Sequence, residues 1–106
     1  MKSNIGDKTR LQHIFDAVTE VEKYIKGISF EKFIESSLHK AAVIKQLEVI
    51  GEAANHISNK TKRGNRNVDW TRITGLRNIL VHEYFGIDYI VIWNIIKTIA
   101  RFKERN

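Results

Sequence analysis

The sequence predicts an all-α protein, an up-and-down bundle of four to five helices forming one domain over residues 1–106. Apolar residues recur at steps of three and four along most of the chain, which gathers them on one side of a helix. The polar connections between those stretches are short and no segment makes a convincing strand, so the helices must cover one another. A chain of 106 residues can build one core, burying roughly two-thirds of its unfolded surface.

Asp7 is placed to cap the first helix, in which Leu11, Ile14, Phe15, Val18, Val21, Ile25 and Ile28 set the apolar stripe as far as Gly27. Lys8, Arg10, Asp16, Glu20, Glu22, Lys23 and Lys26 make its other side a mixed-sign solvated face. Ser29 caps a short second helix that ends near Glu35, because a serine hydroxyl can accept a bond from an otherwise unpaired helical N–H. Ser36 or Ser37 caps the third helix, which runs to about Ile57 on Val43, Leu47, Ile50, Ala54 and Ile57. Ala42, Val49 and Ala53 fall off that stripe, as expected of a helix that packs against two neighbours or a second subunit. Glu52 interrupts this small, apolar stretch. Either Arg77 pairs with it or it faces water.

Ser58 to Val68 reads as a polar loop. Lys60, Lys62, Arg63 and Arg66 lie in it without an acid, so it holds +4 of the net charge of +6. Asp69 caps a fourth helix with Ile73, Leu76 and Leu80 inward, and Gly86 ends it, which puts Arg77 well inside and His82 and Tyr84 near its end. Tyr89 to Phe102 is rich in strand-favouring residues. Its uninterrupted length, a cap at Asp88 and the spacing of Val91 or Ile92, Ile95, Ile96, Ile99 and Phe102 make it a fifth helix. Trp70 and Trp93 are read as core anchors rather than base-stacking platforms.

Composition narrows the function. With 42% hydrophobic and 28% charged residues the chain has the balance of a soluble globular protein. No apolar run approaches the roughly 18 to 20 residues of a membrane span, and Met1 to Asn4 leads into no signal-peptide core, so a cytoplasmic protein without membrane association is expected. The absence of cysteine removes disulfides, thiolate zinc sites and thiol nucleophiles. A net charge of +6 favours polyanions such as nucleic acid, and the 58–68 stretch is where phosphates would be contacted; a basic loop that is merely solvated is the plain alternative. His13, His39 and His56 form no ligand pattern and His82-Glu83 lacks a second histidine at metalloprotease spacing, so neither metal nor other cofactor is expected.

The chemistry concentrates in Leu76 to Asp88, where Arg77, Asn78, His82, Glu83 and Tyr84 interrupt a dense apolar set. At about 100° per residue Asn78 and His82 share a helix face, while His82 lies about 140° from Arg77. Two copies facing each other across a dimer would bring these groups to one phosphate more easily. Cleavage of an RNA phosphodiester needs a group to take the 2′-OH proton, a group to protonate the leaving oxygen, and a cation for the phosphorane. Histidine suits either proton transfer because it titrates near neutrality, and the arginine fork suits the developing charge. Tyr84 could orient phosphate or water, and Asn78 could hold His82 in one tautomer.

The Arg77-to-His82 spacing alone is common by chance. Trp70 to Asp88 as a whole, with Ile50-Gly-Glu-Ala-Ala upstream, resembles the HepT-like branch of the HEPN superfamily, from the first helix to Trp93. Its Arg-x4-His-x-Tyr core falls on Arg77, His82 and Tyr84. The main departure is the missing proline before Trp70. The resemblance implies a HEPN-like helical homodimer, a metal-independent endoribonuclease toxin with paired arginine and histidine in a cleft between subunits, and transfer RNA as a substrate class. It further implies a minimal nucleotidyltransferase antitoxin that adenylylates Tyr84, adding charge and bulk where an RNA phosphate must sit. A reading of a different class is a non-catalytic dimeric helical protein that binds nucleotide or RNA, or an accessory subunit of a nucleotidyltransferase.

Overall fold

The structure is a computed structural model that describes the backbone of residues 6–82 and 86–104 and the side chains of residues 6–80 and 86–99. Seven helical segments follow one another in that part of the chain: α1 (Asp7–Ile25), α2 (Phe30–Glu35), α3 (Ser37–Asn55), α4 (Asn59–Gly64), α5 (Trp70–Thr74), α6 (Leu76–His82) and α7 (Tyr89–Glu104). No strand occurs among the described residues. The all-helical, HEPN-like expectation therefore holds, and none of these helices is long and apolar enough to cross a membrane.

Helix periodicity builds the core. α1 contributes Ile14, Ala17, Val18 and Val21, α3 contributes Val43, Leu47, Ile50, Ala53 and Ala54, and α7 contributes Ile92, Ile95, Ile96 and Ile99. Phe33, Ile73, Leu76 and Leu80 close the gaps between them, and the described residues include no buried polar or charged side chain. α3 is the hub, packing against α1 and α2 and against the α5 and α6 pair. That accounts for Ala53 and for the half-buried Ala42 and Val49 beside its main stripe. Phe33 from α2 packs at 5.1 Å from Trp93, and Phe30 meets the same indole edge-on at 5.6 Å. Trp93 is thus the core anchor the sequence suggested.

Local chemistry starts and stops the elements. The Ser29 hydroxyl accepts from Lys32 N–H, Ser36 from His39 N–H, and the Asp69 carboxylate from Arg72 N–H. Asp88 accepts from the amides of Ile90 and Val91 at the start of α7. Gly27, at φ 76°, turns the chain out of α1 through the left-handed region that glycine enters without strain.

Three expectations need correction. Asp7 does not cap α1; Gly6 holds that position and Asp7 is the first helical residue. Its carboxylate instead reaches across the fold, accepting from the Ser58 amide at 3.1 Å, the Ser58 hydroxyl at 2.5 Å and the Thr61 hydroxyl. The polar stretch 58–68 is not a plain loop either, because Ser58 caps the Thr61 amide and α4 forms behind it. Finally, the single helix expected from Asp69 to Gly86 is interrupted at Gly75. There the Thr74 carbonyl accepts from the Asn55 side chain of α3 at 3.3 Å. Arg77 consequently lies in the first turn of α6 instead of deep within a longer helix.

The hydrogen bonds from Ser58 and Thr61 hold the Asp7 carboxyl below its ordinary pKa of 3.8. A carboxylate whose folded pKa is depressed contributes stability that is fully present above the unfolded value and is lost as pH falls through the lower folded value. Asp7→Asn should therefore lower the melting temperature at neutral pH and shrink the acid-induced drop below about pH 4. Thermal unfolding of both proteins across that range checks this; parallel melting curves at every pH would refute it.

Candidate functional site

The site is built on the point where α3 touches the α5 to α6 junction. A Cβ placed on Gly51 would stand 3.3 Å from the Leu76 Cβ and 3.4 Å from the Arg77 backbone nitrogen. Residue 51, having no side chain, lets the first turn of α6 lie this close without crowding. Asn55, one turn further along α3, donates to the Gly51 carbonyl at 2.8 Å and to the Thr74 carbonyl at 3.3 Å. One amide group thereby ties the end of α5 to α3. Ile73 and Leu76 are buried below, and Arg72 Nη1 donates to Thr98 Oγ1 at 3.4 Å, linking α5 to α7.

With Leu76 and Leu80 turned inward, Arg77 and Asn78 are exposed on the other side of α6. The α6 backbone continues helically to His82, which stands four residues beyond Asn78. The His82 side chain, and Glu83, Tyr84 and Phe85 altogether, lie outside the described residues. Of the expected catalytic set, the arginine and its supporting asparagine are thus located with their side chains.

Glu52 is exposed, and its carboxylate meets His56 Nε2 at 2.9 Å. Of the two alternatives for Glu52 the solvent-facing one holds, with this i,i+4 contact in place of a pair with Arg77, and Arg77 forms no ion pair among the described residues. His39 is engaged with the Ser36 hydroxyl at 2.6 Å. His13 lines a cleft of about 370 Å³ between α1 and α3 together with Arg10, Lys45, Glu48 and Glu52. Among the described residues no group of three His, Cys, Asp or Glu side chains could hold a metal ion.

The four basic residues divide into two sets. Lys60 and Arg63 are exposed on α4, whereas Lys62 and Arg66 line a cleft of about 470 Å³ with Asn67, Val68, Asp69, Trp70 and Thr71. Asn65 shapes this region: its side chain donates to the Thr61 carbonyl at 2.9 Å, and its own carbonyl accepts from Trp70 Nε1 at 3.1 Å. Lys62 Nζ stands 5.9 Å from the Trp70 ring centroid. The half-buried Trp70 packs against the core, as expected, with one edge on this cleft. Asn55 and Asn65 escaped sequence reasoning, since each acts through a carbonyl distant in sequence or set by a turn.

The chain matches the family described as Ribonuclease HepT-like over residues 14–105. It is 43% identical over 90 residues to a candidate RNase of Methanocaldococcus jannaschii, covering 85% of this chain and 83% of that protein. A candidate RNase of Caldanaerobacter subterraneus is 35% identical over 96 residues, covering 90% and 86% of the two chains. A protein of Thermococcus cleftensis named "Probable ribonuclease HepT" is 37% identical over 90 residues, covering 85% and 82%. No solved structure matches significantly.

The close approach at Gly51 makes a graded prediction. Gly51→Val should destabilise the protein by about 1–3 kcal/mol through overpacking. Gly51→Ala should stay within about 1 kcal/mol of wild type, because the helix propensity gained offsets a tight but single-atom contact. Urea unfolding of the pair measures both; a valine variant as stable as wild type would contradict the geometry.

Proposed function

The chain belongs to the HepT-like ribonuclease family, and from that premise we propose that it is an endoribonuclease toxin of a toxin–antitoxin system, with transfer RNA as a substrate class. Exposed Arg77 in the first turn of α6, with the Arg-x4-His-x-Tyr sequence running on through His82 to Tyr84, is the observation that carries the reading. His82 takes the proton of the attacking 2′-OH or returns one to the departing 5′-oxygen. Arg77 stabilises the extra negative charge on the phosphorane through its planar donors. Tyr84 orients the phosphate, and Asn78, one turn before His82, sets the imidazole tautomer. No step in this scheme requires a metal.

The separation of Arg77 and His82 around α6 supports a composite site. Positions five apart on an ideal helix stand about 140° apart around its axis, so a homodimer in which two copies of α6 face each other supplies arginine and histidine to the same phosphate more readily than one subunit alone. Lys60, Lys62, Arg63 and Arg66 add the sequence-independent, salt-sensitive part of RNA affinity. Glu52, next to Gly51 in α3, serves indirectly through its contact with His56.

The proposed regulation acts on Tyr84. A minimal nucleotidyltransferase partner transfers an adenylyl group to its phenolic oxygen and releases pyrophosphate from ATP. The product places a phosphodiester and a purine in the path of the RNA backbone, blocking it by charge and by volume.

Two measurements test this function. In the presence of a chelator the wild-type protein should cleave RNA, and His82→Ala should be slower by about 10²- to 10⁴-fold; cleavage undiminished in the variant would overturn the assignment and leave a non-catalytic RNA-binding protein. Co-expression with the nucleotidyltransferase should raise the intact mass by one adenylyl group, and Tyr84→Phe should abolish that rise. An unchanged wild-type mass would remove Tyr84 as the point of control.

A further inference from the structure

α4 is the one helix among the described residues that buries no side chain. A helix of six residues is too short to persist on its own hydrogen bonds, and with no apolar face in the core its place is set by polar contacts. Lys62 lies over the Trp70 ring, and behind the helix the Asn65 carbonyl accepts from Trp70 Nε1. At its head stands Asp7, from the start of α1. The Asp7 Oδ1 accepts from the Ser58 amide at 3.1 Å, and Oδ2 accepts from the hydroxyls of Ser58 and Thr61. A serine hydroxyl has a single proton. Giving it to Asp7 leaves the oxygen lone pairs for the Thr61 amide, which the same hydroxyl caps at 3.2 Å. Asp7 therefore fixes both where α4 is attached and how its cap is turned. The cations on this helix are Lys60, Lys62 and Arg63, and Arg66 follows its end.

We propose that Asp7 is a positioning residue for RNA: by clasping the head of α4 it holds the cations of that helix in the arrangement that meets the phosphates, so that an acid raises the affinity of the protein for a polyanion. The proposal rests on the ribonuclease reading and adds to it a residue from the far end of the sequence that itself touches no RNA. Two effects of Asp7 have opposite signs. As a charge it repels phosphate, and its removal, which raises the net charge of +6 by one, tightens RNA binding through the long-range field. As a clasp it opposes the mutual repulsion of Lys60, Lys62 and Arg63, which favours an extended chain, and its removal leaves side chains that must be ordered again when RNA binds. The field of one surface charge is screened over about 8 Å at physiological salt. The clasp acts on every phosphate contact of the segment at once, so its effect is the larger and loss of Asp7 weakens binding.

The experiment uses the full chain carrying His82→Ala, which cannot consume its probe, and follows the anisotropy of a labelled single-stranded oligoadenylate below the onset of melting. Adding Asp7→Asn, which has one acceptor oxygen where the carboxylate uses two, should weaken binding by roughly three- to tenfold and make the plot of log affinity against log salt shallower by about one. Thr61→Val changes neither the charge nor the Ser58 cap and should also weaken binding, and the losses of the two variants should not add when combined. Asp16→Asn, the same charge change at an exposed acid of α1, should bind as tightly as its parent or more tightly. Equal or tighter binding by Asp7→Asn, additive losses in the double variant, an equal loss in Asp16→Asn, or no RNA binding by the parent would each overturn the role of Asp7. In the protein with His82 intact, Asp7→Asn should raise KM and leave kcat unchanged, a split that an inactive unfolded fraction does not produce. Cleavage by wild-type protein is scored separately: a cleaving enzyme whose RNA binding is indifferent to Asp7→Asn refutes the clasp alone, and binding weakened by Asp7→Asn without cleavage refutes the ribonuclease reading alone.

Discussion

The close contact between Gly51 of α3 and the first turn of α6 is the constraint on which the candidate site depends. Two helical backbones approach this nearly without crowding where one of them has no Cβ, and the missing side chain sits opposite Leu76 and the amide of Arg77. Placing glycine inside a long helix costs about 1 kcal/mol of propensity relative to alanine. The return is positional. Leu76 is driven fully into the core and Arg77, its neighbour, is turned out to solvent at a fixed height along α3. Asn55 secures the same junction from one turn away by donating to the Thr74 carbonyl, so that acceptor stays paired at the interruption at Gly75.

A second long-range tie governs the basic segment. Like charges packed into α4 and the turn after it repel one another and favour an extended chain. Against that tendency the Asp7 carboxylate gathers the Ser58 amide and two hydroxyls at the head of α4. Asn65 then closes the other end through Thr61 and Trp70. The result is a cationic surface of defined shape rather than a mobile tether. Lys62 is held over an indole and two other cations are left outward on α4.

The parts of this fold that were legible in the sequence are those whose causes are local. Ser29, Ser36, Asp69 and Asp88 each cap an amide two or three residues ahead, and the stripes of α1, α3 and α7 are visible as spacing alone. What was misread has causes remote in sequence. Asp7 looked like a cap because its actual partners lie 51 and 54 positions away. Gly75 looked like an interior helical residue because the group that meets the break, Asn55, comes from another helix. Of the two readings left open for Glu52, pairing with Arg77 or facing water, the exposed one holds, and its contact with His56 is one that simple helical geometry offers. Arg77 and Asn78 could be assigned to an outward face from the Leu76 and Leu80 stripe, whereas the composition of the Trp70 cleft needed three dimensions.

The wholly apolar interior has a consequence for enzymology. Every described core side chain is hydrocarbon or aromatic, so the described core holds no ionisable group whose burial would make folding itself titrate near neutrality. The acidic limb associated with Asp7 lies well below that range. The described core therefore adds no titration of its own to rate measurements made through the neutral region. In this protein the core serves as a silent background against which the chemistry of the site can be read.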